Sequence, residues 1–136
     1  MKEINVEIIT PSKTAFSGKV KSISLPGTLG NFQVLFNHAP LLSKLEIGKI
    51  SIKDLNDVEV EYTTGGGNAE VLNNKILVLV ESFESKEEID VERAKRSLER
   101  AKERLANRNK DKIDEVRAQA ALARAMNRLK FVNSSV

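Results

Sequence analysis

The stretch Asn68-Ala69-Glu70-Val71-Leu72-Asn73-Asn74-Lys75-Ile76-Leu77-Val78-Leu79-Val80 decides the fold of the first 84 residues. Asn68–Leu72 and Lys75–Val80 read as strands, with Asn73-Asn74 as the tight turn between them. Ile76–Val80 is apolar on both faces, which places that strand in the middle of its sheet. It is also the longest apolar run in the 136 residues, at five, far short of the ~18–20 a membrane span needs.

Upstream of this hairpin the same period of two recurs. Ile4, Val6 and Ile8 alternate with Glu3, Asn5 and Glu7, and Pro11-Ser12 ends the run. Ile23 and Leu25 alternate with serines until Pro26-Gly27; Phe32 to Phe36 and Leu41 to Leu45 follow. Ile50 and Ile52 sit among Lys49, Ser51 and Lys53, and Val58, Val60 and Tyr62 alternate with Glu59 and Glu61. Short strands broken by turn residues every ~8–12 positions predict an antiparallel sandwich or barrel, each strand burying its apolar face. Gly65-Gly66-Gly67 permits a left-handed or closely approached backbone. It is not a phosphate loop, since neither G-x-x-x-x-G-K-[ST] nor G-x-G-x-x-G occurs. Gly27-Thr28-Leu29-Gly30 reads as a turn. The single histidine, His38, stands in Asn37-His38-Ala39-Pro40 outside any recognisable catalytic pattern and reads as a turn or packing residue.

Downstream the punctuation changes. No glycine follows Gly67, no proline follows Pro40, and every arginine lies at or beyond Arg93. Residues 1–84 hold 8 Lys against 10 Asp+Glu, whereas 85–136 hold 14 Lys+Arg against 9 Asp+Glu. The expected units are therefore residues 1–84, a sandwich, and 85–136, an antiparallel hairpin with helices over about 90–106 and 113–132. Val91, Ala94, Leu98, Ala101 and Leu105 recur at steps of three and four, one apolar stripe on the first helix. Ser85 with Glu88 fits a capping box, and Asp90 is a second N-cap candidate. A polar turn is expected over Asn107–Asp111. The second helix offers two stripes: Ile113, Val116, Ala120 and Ala123, or Ala118, Leu122, Ala125, Leu129 and Val132. So alanine-rich a seam is thin, because a buried alanine contributes far less than the ~1.5–3 kcal/mol of a buried leucine. The hairpin then leans on the sandwich, on a ligand or on another protein, and its second stripe is a candidate docking face.

Arg93, Arg96, Arg100 and Arg104 share one side of the first helix; Arg124 and Arg128 share one side of the second. Two readings stay open. Either they form a solvated face, supported by the opposite-charge spacings Glu92–Arg96 and Lys95–Glu99, or they form an anion site for phosphates or an acidic protein surface. The lack of cysteine excludes disulfides and thiolate metal sites, and one histidine excludes a His-rich metal site. Met1-Lys2-Glu3-Ile4-Asn5 carries no signal or transit pattern. Against a nucleic-acid module, the hairpin has one aromatic, Phe131, and no clean basic face. Against an enzyme, no nucleophile–base constellation is visible.

Several segments together resemble the epsilon subunit of F-type ATP synthases. They are Thr10-Pro11, Phe16-Ser17-Gly18, Asn37-His38-Ala39-Pro40-Leu41-Leu42, and Gly66-Gly67-Asn68-Ala69-Glu70-Val71. In the hairpin they are Ile89-Asp90-Val91-Glu92-Arg93-Ala94 and Leu122-Ala123-Arg124-Ala125-Met126-Asn127-Arg128-Leu129. The resemblance covers nearly the whole chain. It implies a sandwich of about ten strands carrying a helical hairpin, and a rotor subunit of the central stalk that performs no chemistry. It implies contact with the gamma subunit and the membrane-embedded c-ring, and with the alpha/beta catalytic head when the hairpin extends. It implies a peripheral position on the cytoplasmic face of the bacterial membrane. The subunit helps couple proton or sodium flow to ATP synthesis, and its extended hairpin restrains hydrolysis.

Some bacterial relatives bind ATP on the compact hairpin through an I/L-D-x-x-R-A pattern with arginines on the second helix. Ile89, Asp90, Arg93, Ala94, Arg124 and Arg128 match that pattern, and Glu84 and Arg100 fit the remaining positions. No cofactor is required; ATP is a regulatory ligand in this reading. Leu29, Asn31 and His38 fall where the family meets the c-ring. There the chain departs from the family: Asn31 replaces the frequent acid, Gln33 a glycine and Phe36 a proline. Gly67-Asn68 likewise replaces the more usual glycine-aromatic step.

Overall fold

Alternation at Ile4, Val6 and Ile8 turns all three side chains into one core, while Asn5 and Glu7 face outward. The computed structural model describes residues 2–106 and 112–133, with side chains through 106 and from 115 to 133. The chain divides into two compact units, Met1–Ser85 and Lys86–Val136.

The first unit is a curled sheet of ten strands: β1 (Ile4–Thr10), β2 (Lys13–Val20), β3 (Ser22–Gly27), β4 (Gly30–Val34), β5 (Leu41–Leu45), β6 (Gly48–Lys53), β7 (Glu59–Thr64), β8 (Gly67–Leu72), β9 (Lys75–Val80) and β10 (Phe83–Glu84). Their order is β10-β7-β6-β3-β5-β8-β9-β1-β2, with β4 paired to β3. The sheet folds into a nearly closed sandwich around Ile4, Ile8, Ile23, Leu25, Ile50 and Val78, all fully buried. The pairing is antiparallel, as the alternation predicts, with one exception. β1 lies parallel to β9, in the register Val6–Ile76 and Ile8–Val78. The middle position expected for Ile76–Val80 holds, since β9 lies between β8 and β1.

Three local expectations need correction. β2 and β10 are strands that periodicity misses. Only Val20 is buried in β2, an edge strand whose Phe16 packs partly on the core, and β10 spans two residues. The apolar face of Val58, Val60 and Tyr62 is not buried throughout: Val58 is 53% and Val60 42% exposed. β10 pairs only with Thr63 and Thr64, so the first half of β7 lies uncovered at the end of the sheet. Tyr62 is covered by stacking on Phe83, with ring centroids 4.2 Å apart. β4 stops at Val34, leaving Leu35 and Phe36 in an exposed loop.

The triple glycine is used as backbone geometry. Gly66 adopts φ 93°, and a Cβ on Gly67 would collide with the Leu79 carbonyl oxygen of the paired strand. Gly67→Ala must therefore push β8 off β9. The expected loss is about 3 kcal/mol or more, checked by urea unfolding. Gly18→Ala, whose Cβ meets nothing closer than 3.9 Å, should stay near neutral.

The β6–β7 turn is held by Asp54, whose Oδ1 accepts from Asn56 N at 2.8 Å and Val58 N at 3.0 Å. Beside it Asp57, at φ 65°, accepts a 2.7 Å hydrogen bond from Lys21 Nζ. That bond, with the ammonium charge, holds the Asp57 carboxyl below its ordinary value. A lowered folded pKa contributes stability that is complete above the ordinary carboxylate range and is lost as pH falls through the folded value. Asp57→Asn should thus lower the thermal midpoint slightly at neutral pH. The two melting curves should converge in acid.

Candidate functional site

The second unit is built from one cap and two stripes. α1 (Val91–Ala106) turns Ala94 and Ala101 fully inward and Val91, Leu98 and Leu105 partly so. Asp90 is its N-cap: Asp90 Oδ1 accepts from Arg93 N at 3.1 Å, and Asp90 O accepts from Ala94 N at 3.0 Å. Its carboxylate also faces the positive end of the helix dipole. Ser85 instead precedes a short 3₁₀ turn, Lys86–Glu88. In α2 (Lys112–Asn133) the stripe turned inward is Ala118, Leu122, Ala125, Leu129 and Val132. Of the alternative stripe, Val116 and Ala123 are exposed; the Ile113 side chain and the expected turn at Asn107–Asp111 lie outside the described residues. Lys86 Nζ sits 5.6 Å above the Phe131 ring. That contact brings the start of the unit to the end of α2, so the helices run antiparallel.

The geometry then groups the arginines. At 100° per residue, Arg93, Arg100 and Arg104 lie to one side of the α1 seam, and Arg124 and Arg128 lie the same way round from the α2 seam. In an antiparallel pair, equal rotations from the seam open on the same face. Arg93 and Arg100 are exposed there, and Arg124 and Arg128 are half-buried. Ile89 and Ala94 are buried. Glu84 is half-buried at the end of β10, in the other unit. Ser97, which the sequence does not single out, accepts a 3.3 Å hydrogen bond from Arg100 Nη2. The back of α1 carries a shallow hollow of about 370 Å³ lined by Glu92, Lys95, Arg96, Glu99 and Arg100. Alternating charge suits that surface to water, and Lys95 Nζ lies 3.9 Å from Glu92 there.

In the sandwich, Leu29 projects fully from the β3–β4 turn, with Asn31 exposed beside it. His38 is half-buried in the loop after β4. Asn31 is the second residue of β4, and the strand runs on through Val34, roughly 10 Å at the strand rise, before the loop that carries His38. Leu29 and Asn31 thus lie toward one end of the strand and His38 beyond the other. Nδ1 of His38 lies 2.7 Å from the Ala39 carbonyl. A carbonyl only accepts, so Nδ1 carries the proton and the ring is tied to its own turn. Among the described residues there is no group of three His, Cys, Asp or Glu able to hold a metal. Periodicity also leaves unnoticed three exposed leucines. Leu42 on β5, Leu72 on β8 and Leu79 on β9 all point away from the core and are 77%, 46% and 46% exposed.

Comparison with known proteins matches both units in order. Residues 3–86 fit the beta-sandwich domain of the ATP synthase delta/epsilon chain, and residues 87–133 fit its long alpha-helix domain. The chain belongs to the ATP synthase delta/epsilon family. The ATP synthase epsilon chain of Desulfosudis oleivorans is 44% identical over 102 residues, 75% of this chain and 77% of that one. That of Salinibacter ruber is 39% identical over 111 residues, 76% and 74% of the two chains. Among solved structures, a chain of the Euglena gracilis mitochondrial ATP synthase superposes with a TM-score of 0.77 at 20% identity, covering 92% of this chain and 78% of that one. A chain of the Tetrahymena thermophila mitochondrial ATP synthase central stalk and c-ring superposes at 0.61 with 13% identity, covering 95% and 96%. The delta/epsilon fold therefore extends across both units of this chain.

Asp90 has two separable parts, an acceptor oxygen and a charge. Asp90→Ala should cost about 1 kcal/mol of helix stability through the lost cap, and Asp90→Asn only a few tenths. Amide exchange at Arg93, whose N–H the cap receives, reads the difference.

Proposed function

We propose that the chain is the rotor-borne epsilon subunit of an F-type ATP synthase. It performs no chemistry, helps couple ion flow to ATP synthesis, and restrains ATP hydrolysis through its helical hairpin. The sandwich is the part that stays with the rotor, against the gamma subunit and the c-ring. Its exposed leucines, Leu42, Leu72 and Leu79, suit burial by a protein neighbour, and Leu29, Asn31 and His38 are the candidate c-ring contacts. The hairpin, when extended, meets the alpha/beta catalytic head. In this reading the membrane is met through other subunits, on its cytoplasmic face; no helix among the described residues is long and apolar enough to cross a membrane.

The observation that carries the regulatory half is the composition of the hairpin seam. The buried positions that face across it are alanines 94, 101, 118 and 125. They allow close approach but remove little apolar surface, so the closed pair is weakly held and sensitive to anything that binds it. Arginines 93, 100, 124 and 128 on one face supply the charge for a triphosphate bridging the helices. ATP would then favour the compact state by mass action, with Asp90, Ile89 and Ala94 completing the site on the hairpin.

Two measurements test this reading. Removing residues 85–136 from the assembled enzyme should raise ATP hydrolysis; an unchanged rate removes the inhibitory role. Titrating the full chain with ATP should shift hairpin amides. Arg124→Ala with Arg128→Ala should weaken binding roughly ten- to hundredfold, the scale of lost charge-assisted hydrogen bonds. Spectra that do not move at millimolar ATP remove the nucleotide site.

A further inference from the structure

At one end of the sandwich a single residue, Asn74, bridges three segments. Asn74, in the β8–β9 turn, makes three contacts to two other segments. Its backbone oxygen accepts from Asn5 N at 2.9 Å, at the start of β1. Its Oδ1 accepts from Asn37 N at 2.6 Å, and its Nδ2 lies 3.5 Å from Asn37 Oδ1. Both asparagines adopt the left-handed backbone, with φ 61° at Asn74 and 65° at Asn37. An L residue adopts that conformation at some cost, and asparagine tolerates it better than most. The N–H of Asn37 is thereby aimed at a side chain 37 positions away.

The loop this holds runs from Leu35 to Pro40. Leu35 is 50% and Phe36 38% exposed, and Asn37, Ala39 and Pro40 are also exposed, so apolar packing fixes the loop only in part. Two further hydrogen bonds are internal to the loop, His38 N to Leu35 O at 3.2 Å and the His38 ring to Ala39 O. They shape the loop but do not tie it to the sandwich. The 2.6 Å bond does, and it acts on the residue immediately before His38.

We propose that Asn74 is the positioning residue for this loop, setting how His38 and its uncharged neighbours are presented to the rotor. The proposal rests on the c-ring contact reading of His38 and adds a residue that acts through the loop. A side chain that merely filled space would be replaceable by any residue of similar volume. A positioning role instead requires an acceptor oxygen at this place on a left-handed backbone.

The test uses the full chain and the rotor assembled from gamma and the c-ring. Asn74→Gly keeps the left-handed turn and removes only the side chain; Asn74→Asp restores an acceptor. In the free chain, Asn74→Gly should speed amide exchange at Asn37 roughly tenfold, the scale of one lost hydrogen bond. Exchange at Val71 and Ile76 should be unchanged, and Asn74→Asp should bring Asn37 back. If Asn74→Gly loosens the whole sandwich, Asn74→Ser makes the same comparison with a side chain too short to bridge. Affinity for the rotor should fall severalfold in Asn74→Gly, return in Asn74→Asp, and fall also in His38→Ala. Unchanged exchange at Asn37 overturns the interlock. Weakened rotor binding in His38→Ala but not in Asn74→Gly overturns the positioning role and leaves the contact standing. If neither variant weakens binding, the contact itself is wrong and the proposal falls with it.

Discussion

The sandwich depends on the parallel pairing of Ile4–Thr10 with Lys75–Val80. The β8–β9 turn between Leu72 and Lys75 forms locally, and so do several of the other antiparallel contacts. The β1–β9 pair closes a loop of about seventy residues, and closure entropy must be met before the pairing returns anything. What it returns is concentrated. Ile4, Val6 and Ile8 are almost wholly buried, as are Ile76 and Val78 on the strand beside them. β2 joins the sheet only through β1, so without this pair the sheet would lose its last two strands and expose the core residues facing them. The three local devices around it serve the same junction. Gly67 lets β8 lie against the Leu79 carbonyl, Gly66 takes the left-handed bend that admits it, and Asn74 ties the other end of β9 to Asn5.

The hairpin is stabilised differently. Its inward stripe alternates alanine with partly buried leucine and valine, so it gains close helix approach and little buried area. A fixed charge at Asp90 and a cation–π contact from Lys86 to Phe131 add local terms at one end. One unit is thus held by apolar burial across many strands, and the other by a thin seam with polar fastenings. Family membership follows from both units in sequence order. On the proposed reading that physical contrast lets one chain combine a firmly packed seat with an element whose state a ligand can bias.

Most of the fold was legible because period two and period 3.6 leave different marks. Ile4/Val6/Ile8, Ile50/Ile52 and Lys75–Val80 read as strands and are strands, and Val91 to Leu105 reads as one helical stripe and forms one. Asn73 and Asn74 read as a tight turn, and both take positive φ. The misses have physical causes. β2 is a polar edge strand with Lys13, Thr14, Ser17 and Lys19 outward, so it lacks alternation to detect. Val58 and Val60 alternate correctly but lie where nothing covers them, because coverage is set by β10, a strand too short to announce itself. The parallel sense of β1 and β9 has no local signature at all. Of the two α2 stripes, composition could not choose; the partner helix does. The cap at Asp90 was legible as one of two candidates, since Ser85 and Asp90 are both good caps and only the chain path separates them. The bridges from Lys86 to Phe131 and from Asn74 to Asn37 join residues far apart in sequence, which no local pattern encodes.

Guanidinium groups brought to one side of a closed hairpin repel one another, and water screens that repulsion least where side chains are half-buried, as Arg124 and Arg128 are. The alanine seam favours closure only weakly. On the proposed reading a polyanion between the helices adds charge-assisted contacts to that face without altering the seam. Bulkier apolar residues at 94, 101, 118 and 125 would make closure independent of any ligand, and a neutral face would leave nothing for the ligand to change. On the proposed reading the small seam and the basic flank together make a closed state whose population depends on what is bound.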